Sequence, residues 1–207
     1  MQLVVISHPS EVANEASLIN QLFESGLTRF HLRKPGYEEQ QLAALLWQID
    51  EQYHHYIALH QHHAMAIDLG IERLHYTERQ RMDTSIEKLA MQNQHGYILS
   101  TSIHDVAALQ TLAWFDNAFL GPVFSSISKP GYQTEWSDGF CLNKQGIDLD
   151  IIALGGIELS NLNTIKAMNF DGAAVLGAIW NNPDIAISNF KSLKQELQIL
   201  TENQNDR

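Results

Sequence analysis

The chain has 207 residues, 44% of them hydrophobic and 18% charged, which is enough apolar content to bury one sizeable core. Its 13 basic residues against 24 acidic ones give a formal net charge of −11, and without basic runs that balance excludes nucleic acid and anionic membrane surfaces as partners. The single cysteine, Cys141, excludes an internal disulfide, and the opening MQLVVISHPS has neither a basic leader nor an apolar run fit for a signal or a span, so the cytoplasm is the default address.

In chain order, eight short runs rich in β-branched and aromatic residues read as strands: 3–7, 29–33, 56–60, 73–76, 97–100, 118–124, 151–154 and 173–176. Helix-like stretches lie between them, clearest at 11–25, 38–53, 105–113, 159–168 and 183–197, the last four with apolar residues three and four apart. Alternating strands and helices imply a parallel α/β sheet, and eight units of about 26 residues approach the lower size limit of a closed single-domain (β/α)8 TIM barrel. An open doubly wound sheet is the alternative, because the segment after Arg79 is weakly patterned. No linker or repeat divides the chain; residues 1–198 are expected to form the domain and 199–207 a polar, frayed tail.

In a barrel the strand tips line one mouth. They carry Arg33 and Lys34 after the second strand, His60 after the third, and Ser102 and His104 after the fifth. Ser126, Ser128 and Lys129 follow the sixth, Gly155 and Gly156 the seventh, and Gly177 the eighth. Side chains alternate along a strand, so His31 and Arg33 would point into the mouth and Phe30 and Leu32 into the helix layer. An inward arginine calls for an anion. The turns in IALGGIELSN and GAAVLGAIW each run a strand into a helix through glycine, and backbone N–H groups at helix starts after strands seven and eight form phosphate sites in many barrels. The run HQHH at 60–63 matches no zinc spacing and has no cysteine beside it, so no metal is expected there.

These motifs, in this order, resemble the thiamine phosphate synthase and TenI family over about residues 3–180. HLRKP at 31–35 resembles the family's Gln-x-Arg-x-Lys strand, and GIERLHY at 70–76 its Gly-Ala-Asp-Gly-Val-His-Leu. STSIH at 100–104 resembles Ser-Val-His, and GPVFSSISK at 121–129 resembles Gly-Pro-x-Phe-x-Thr-x-Thr-Lys. ALGGI at 153–157 and GAAVLGAI at 172–179 resemble its phosphate turns. The resemblance implies a TIM-barrel transferase of thiamine biosynthesis that joins a pyrimidine pyrophosphate to a hydroxyethylthiazole phosphate. Arg33, Lys34, Ser126, Ser128 and Lys129 would hold pyrophosphate, and Gly155, Gly156, Leu176 and Gly177 the thiazole phosphate. His31, His75 and Ser102 would line the pocket, and His60 and His104 would be the proton carriers. The implied partners are these two small molecules, with a homo-oligomer among the allowed states.

The family's synthases hold magnesium with two aspartates, in an Asn-Asp pair after strand three and a Glu-Asp pair after strand four. Here the positions read His60-Gln61 and Arg79-Gln80, so magnesium is expected only on the substrate's own pyrophosphate. The TenI branch implies a second activity, metal-independent isomerisation of a thiazole carboxylate phosphate, but its usual histidine is replaced by Pro122. A non-catalytic thiazole-phosphate binder is the third reading.

Overall fold

The computed structural model describes residues 1–124 and 139–202. Eight parallel strands close into a barrel in chain order: β1 (Gln2–Ile6), β2 (Phe30–Leu32), β3 (Ile57–Leu59), β4 (Arg73–Tyr76), β5 (Ile98–Ile103), β6 (Asn117–Leu120), β7 (Asp150–Leu154) and β8 (Gly172–Val175). Closure comes from β1 pairing with β8, Gln2 opposite Gly172 through Val5 opposite Val175, and it excludes the open doubly wound sheet. Gly172 is required at that seam: a Cβ there would lie 2.7 Å from Ile152 Cδ1 and 2.8 Å from the Gln2 carbonyl oxygen.

The period-two alternation sorts side chains as the sequence implies. Val4, Ile6, Phe119, Ile152 and Ala174 form a small cluster of their own, while Val5, Phe30, Leu32, Leu59, Leu74, Leu99 and Leu120 join the larger core beneath the helices. The barrel interior is therefore apolar on the β6–β7–β8–β1 side. On the β2–β5 side it holds His31, His60, His75 and Ser100, all buried.

The outer layer departs from expectation. The first helix, α1 (Glu15–Glu24), starts later than 11, after Asn14 in the left-handed region at φ 57°. The second, α2 (Glu39–Leu46), stops early and gives way to a 3₁₀ turn at Glu51–Tyr56. The stretch 105–113 is a 3₁₀ turn (Val106–Thr111), not an α-helix. Two helices without a counterpart in the sequence reading fill the weakly patterned region, α3 (Glu78–Met82) and α4 (Ile86–Gln94). After β7 a 3₁₀ turn leads into α5 (Leu162–Ala167), and β8 is followed by α6 (Gly177–Trp180). The last helix, α7 (Ala186–Glu202), runs past the expected start of the tail at Ile199, because Leu200 is buried and Thr201 Oγ1 accepts a 3.0 Å hydrogen bond from the Met1 amine.

Candidate active site

The site is built on the C-terminal ends of the strands, beginning where β1 and β2 end together. The Ser7 backbone N–H donates to the His31 carbonyl at 2.9 Å. Its hydroxyl accepts from the Arg33 N–H at 2.8 Å and donates to the Arg33 carbonyl at 3.0 Å. Ser7, absent from the sequence reading, thus fixes the backbone that carries the arginine. Arg33, just past the end of β2, is exposed, and after burial and the neighbouring histidines its charge adds to what disfavours protonation of His60 and His75.

Lys34 corrects an expectation. The next residue along a strand faces the other way, and Lys34 is completely buried beneath α1, where its Nζ donates to Glu15 Oε2 at 2.5 Å and to the Ser10 carbonyl at 2.7 Å. It is an internal ion-pair partner, not a side chain free to meet a ligand. Burial pushes the Glu15 carboxyl above its ordinary range, opposed by the hydrogen bond and charge of Lys34.

Beside and below Arg33 lie the three histidines. His31 Nδ1 is 3.0 Å from His60 Nε2, and the His60 and His75 rings stack with centroids 4.0 Å apart. His75 is held at both nitrogens, by Ser100 Oγ and by Ser102 Oγ, each at 2.9 Å. Ser100 shares the inward parity of Ser102, and this alternation is the signal by which it could have been found. Phe119 covers His31 and His75 from the apolar side, its ring centroid 4.6 Å and 5.1 Å from theirs. Burial keeps all three rings neutral: His31 is lowered to about 3, chiefly by desolvation and then by Arg73 and Arg29, while His60 and His75 lie well below the usual value through desolvation and then the neighbouring histidines.

His104, by contrast, is exposed on the rim. Its Nδ1 donates to the Gly121 carbonyl at 2.6 Å, which in the neutral ring leaves the lone pair on Nε2, 4.0 Å from Glu78 Oε2. Glu78, also absent from the sequence reading, faces Arg81 at 3.4 Å as well.

The expected phosphate turns sit side by side, since β7 and β8 are hydrogen-bonded neighbours. Gly155 and Gly156 have φ of 99° and 63°, a conformation that favours glycine. At Gly155 a Cβ would also lie 2.8 Å from Pro122 Cβ. Asn161 Nδ2 donates to the Gly156 carbonyl at 2.8 Å, fixing the turn from below. Leu176 and Gly177 lead into α6, whose first N–H groups have no intrahelical partner. Ser126, Ser128 and Lys129 lie outside the described residues.

The magnesium positions do not fit that ion. His60 is a buried imidazole. Gln61 Oε1 accepts from the Lys34 N–H and its amide donates to the Lys34 carbonyl, so it braces the β2 exit. Gln80 closes a capping box with Thr77 and donates to the His60 carbonyl at 3.1 Å. Arg79 points outward toward Asp83 at 3.7 Å. Magnesium asks for hard carboxylate oxygens in near-octahedral array, and these side chains offer none.

Comparison with known proteins adds to this geometry. Residues 2–179 match the family model described as thiamine monophosphate synthase. A thiamine-phosphate synthase from Lysinibacillus sphaericus is 28% identical, with 94% of this chain and 96% of that one covered. The crystal structure of a thiamine phosphate pyrophosphorylase from Bacteroides thetaiotaomicron is also 28% identical, with a TM-score of 0.74 over 96% of this chain and 98% of that one. A thiamine phosphate pyrophosphorylase from Pyrococcus furiosus, at 17% identity and a TM-score of 0.73 over 95% of both chains, shares the fold.

Proposed function

Because the chain belongs to the thiamine monophosphate synthase family, we propose that it is the thiamine-biosynthesis enzyme that joins a hydroxymethylpyrimidine pyrophosphate to a hydroxyethylthiazole phosphate. The observation that carries this reading is the placement of Arg33 and the two glycine turns on one rim of a closed barrel. The carbon–oxygen bond to pyrophosphate breaks with its electron pair leaving on oxygen, the thiazole nitrogen takes the carbon, and thiamine phosphate and pyrophosphate are the products. Arg33, whose backbone is held by Ser7, neutralises the departing charge. Gly155, Gly156, Leu176 and Gly177 anchor the thiazole phosphate through backbone N–H groups. Ser126, Ser128 and Lys129 complete the pyrophosphate cradle in this reading.

The purified protein, given both substrates, is expected to form thiamine phosphate, read as fluorescent thiochrome, with matching release of pyrophosphate. Arg33→Ala should lower turnover by roughly 10²–10³-fold, as removal of a preorganised charge-stabilising donor does. The missing carboxylates favour one second reading, metal-independent proton transfer on a thiazole carboxylate phosphate. There the His104 Nε2 lone pair beside Glu78 would carry the proton. No thiamine phosphate but a metal-independent change in thiazole absorbance, lost in His104→Gln, would replace the first reading with the second.

A further inference from the structure

The interior histidines do more than line a pocket. His31, His60 and His75 each offer a ring nitrogen within 4.8 Å of the other two, and the residues are 5%, 6% and 1% exposed. His60 Nδ1 is buried with no hydrogen-bond partner among the described residues, a vacant position that costs free energy in a dry interior. The spacing and the burial point the same way; the unsatisfied Nδ1 is the other nitrogen of His60, since Nε2 makes the contact with His31.

We propose that His31, His60 and His75 bind a transition-metal dication of the zinc class inside the barrel. Zinc takes imidazole nitrogen at about 2.0–2.1 Å, which in tetrahedral array sets ligand nitrogens about 3.3 Å apart. The His31–His60 pair, now 3.0 Å apart, needs to open by about 0.3 Å, and the widest of the three nitrogen pairs, at most 4.8 Å apart, to close by up to about 1.5 Å. Each neutral ring offers one lone pair, and the N–H shared in the His31–His60 hydrogen bond moves to that ring's other nitrogen when both face the metal. Whichever nitrogen His75 gives to the metal, the other N–H still meets a serine hydroxyl, Ser100 or Ser102, the outer-shell bond that fixes a ligating histidine. Phe119 supplies a dry wall. Imidazole suits zinc, copper or nickel and not magnesium, so this site, which shares His60 with the pair that replaces the family's first magnesium pair, would take a softer ion.

The test uses the full chain, stripped with a chelator, then titrated with zinc by calorimetry and with cobalt by visible spectroscopy. We expect one zinc per chain and an intense low-coordinate cobalt spectrum. His31→Gln and His60→Asn should each weaken zinc by more than the roughly 10–100-fold typical of losing an outer-shell partner, and Ser102→Ala should fall within that range. His62→Gln, from the same histidine-rich stretch but turned toward Glu39, should change nothing. Circular dichroism checks each variant, and if an imidazole variant does not fold, the Ser102→Ala affinity and cobalt spectrum decide. Absence of saturable zinc binding, a pale octahedral cobalt spectrum, or equal losses in His31→Gln and His62→Gln would each overturn the proposal.

Discussion

At Lys34 the sequence reading and the folded chain part company for a definable reason. Strand alternation already places it on the face opposite Arg33, yet the partner that claims it, Glu15, stands 19 positions upstream on another element. Nothing local in HLRKP announces a carboxylate there; it is brought in by α1 packing over β2. A buried pair of this kind is weak evidence for stability as a pair, but removing one member strands the other. Glu15 Oε1 already lacks a hydrogen-bond partner among the described residues. Lys34→Met should therefore destabilise the protein by roughly 3–5 kcal/mol in urea unfolding, and adding Glu15→Leu should restore most of the loss. A Lys34→Met protein of unchanged stability with a raised KM for the pyrophosphate substrate would return the residue to the site.

At the scale of elements, the strands were legible and the covering helices only partly. Each strand presents apolar residues to one or both faces and ends in a polar tip, so its identity survives in a short window. Between β4 and β5 the signal is blurred because apolar residues lie on the solvent face: Met82, Ile86 and Met91 are 72%, 63% and 51% exposed. Residues 105–113 carry helical spacing, but the connection from β5 to β6 closes as a 3₁₀ turn. The glycine turns were legible because their backbone demand is local. Gly155→Ala places a Cβ against Pro122 at a φ of 99°, where strain of this kind costs about 1–3 kcal/mol. Urea unfolding should show that loss together with weaker binding of the thiazole phosphate. Gly96→Ala, at φ 84° but facing open space, should show the backbone part of the loss and keep phosphate affinity.

For the whole molecule, the divided interior governs how stability follows pH. The three interior histidines, His31, His60 and His75, are neutral when folded and take up protons when unfolded. Their folded values lie below the ordinary 6.5, in the case of His31 at about 3. The stability they contribute is present above about pH 6.5 and is lost as pH falls through the acid range, at up to about 1.4 kcal/mol per pH unit for each group. In chelator, urea unfolding midpoints should drop steeply from pH 7 to 5, and His31→Gln should flatten the slope; a flat profile in the unaltered protein would contradict the assignment. The same closure that creates this interior also leaves an optical marker. Trp180, buried in α6, donates its indole N–H to the Ile6 carbonyl at 2.7 Å. It thereby ties the helix that begins at Gly177 to the end of β1, whereas Trp47 and Trp114 are 73% and 37% exposed. Light emitted from Trp180 originates three residues from Gly177 and beside the seam where the last strand meets the first. A red shift of the Trp180 emission on unfolding would therefore report the opening of that closure.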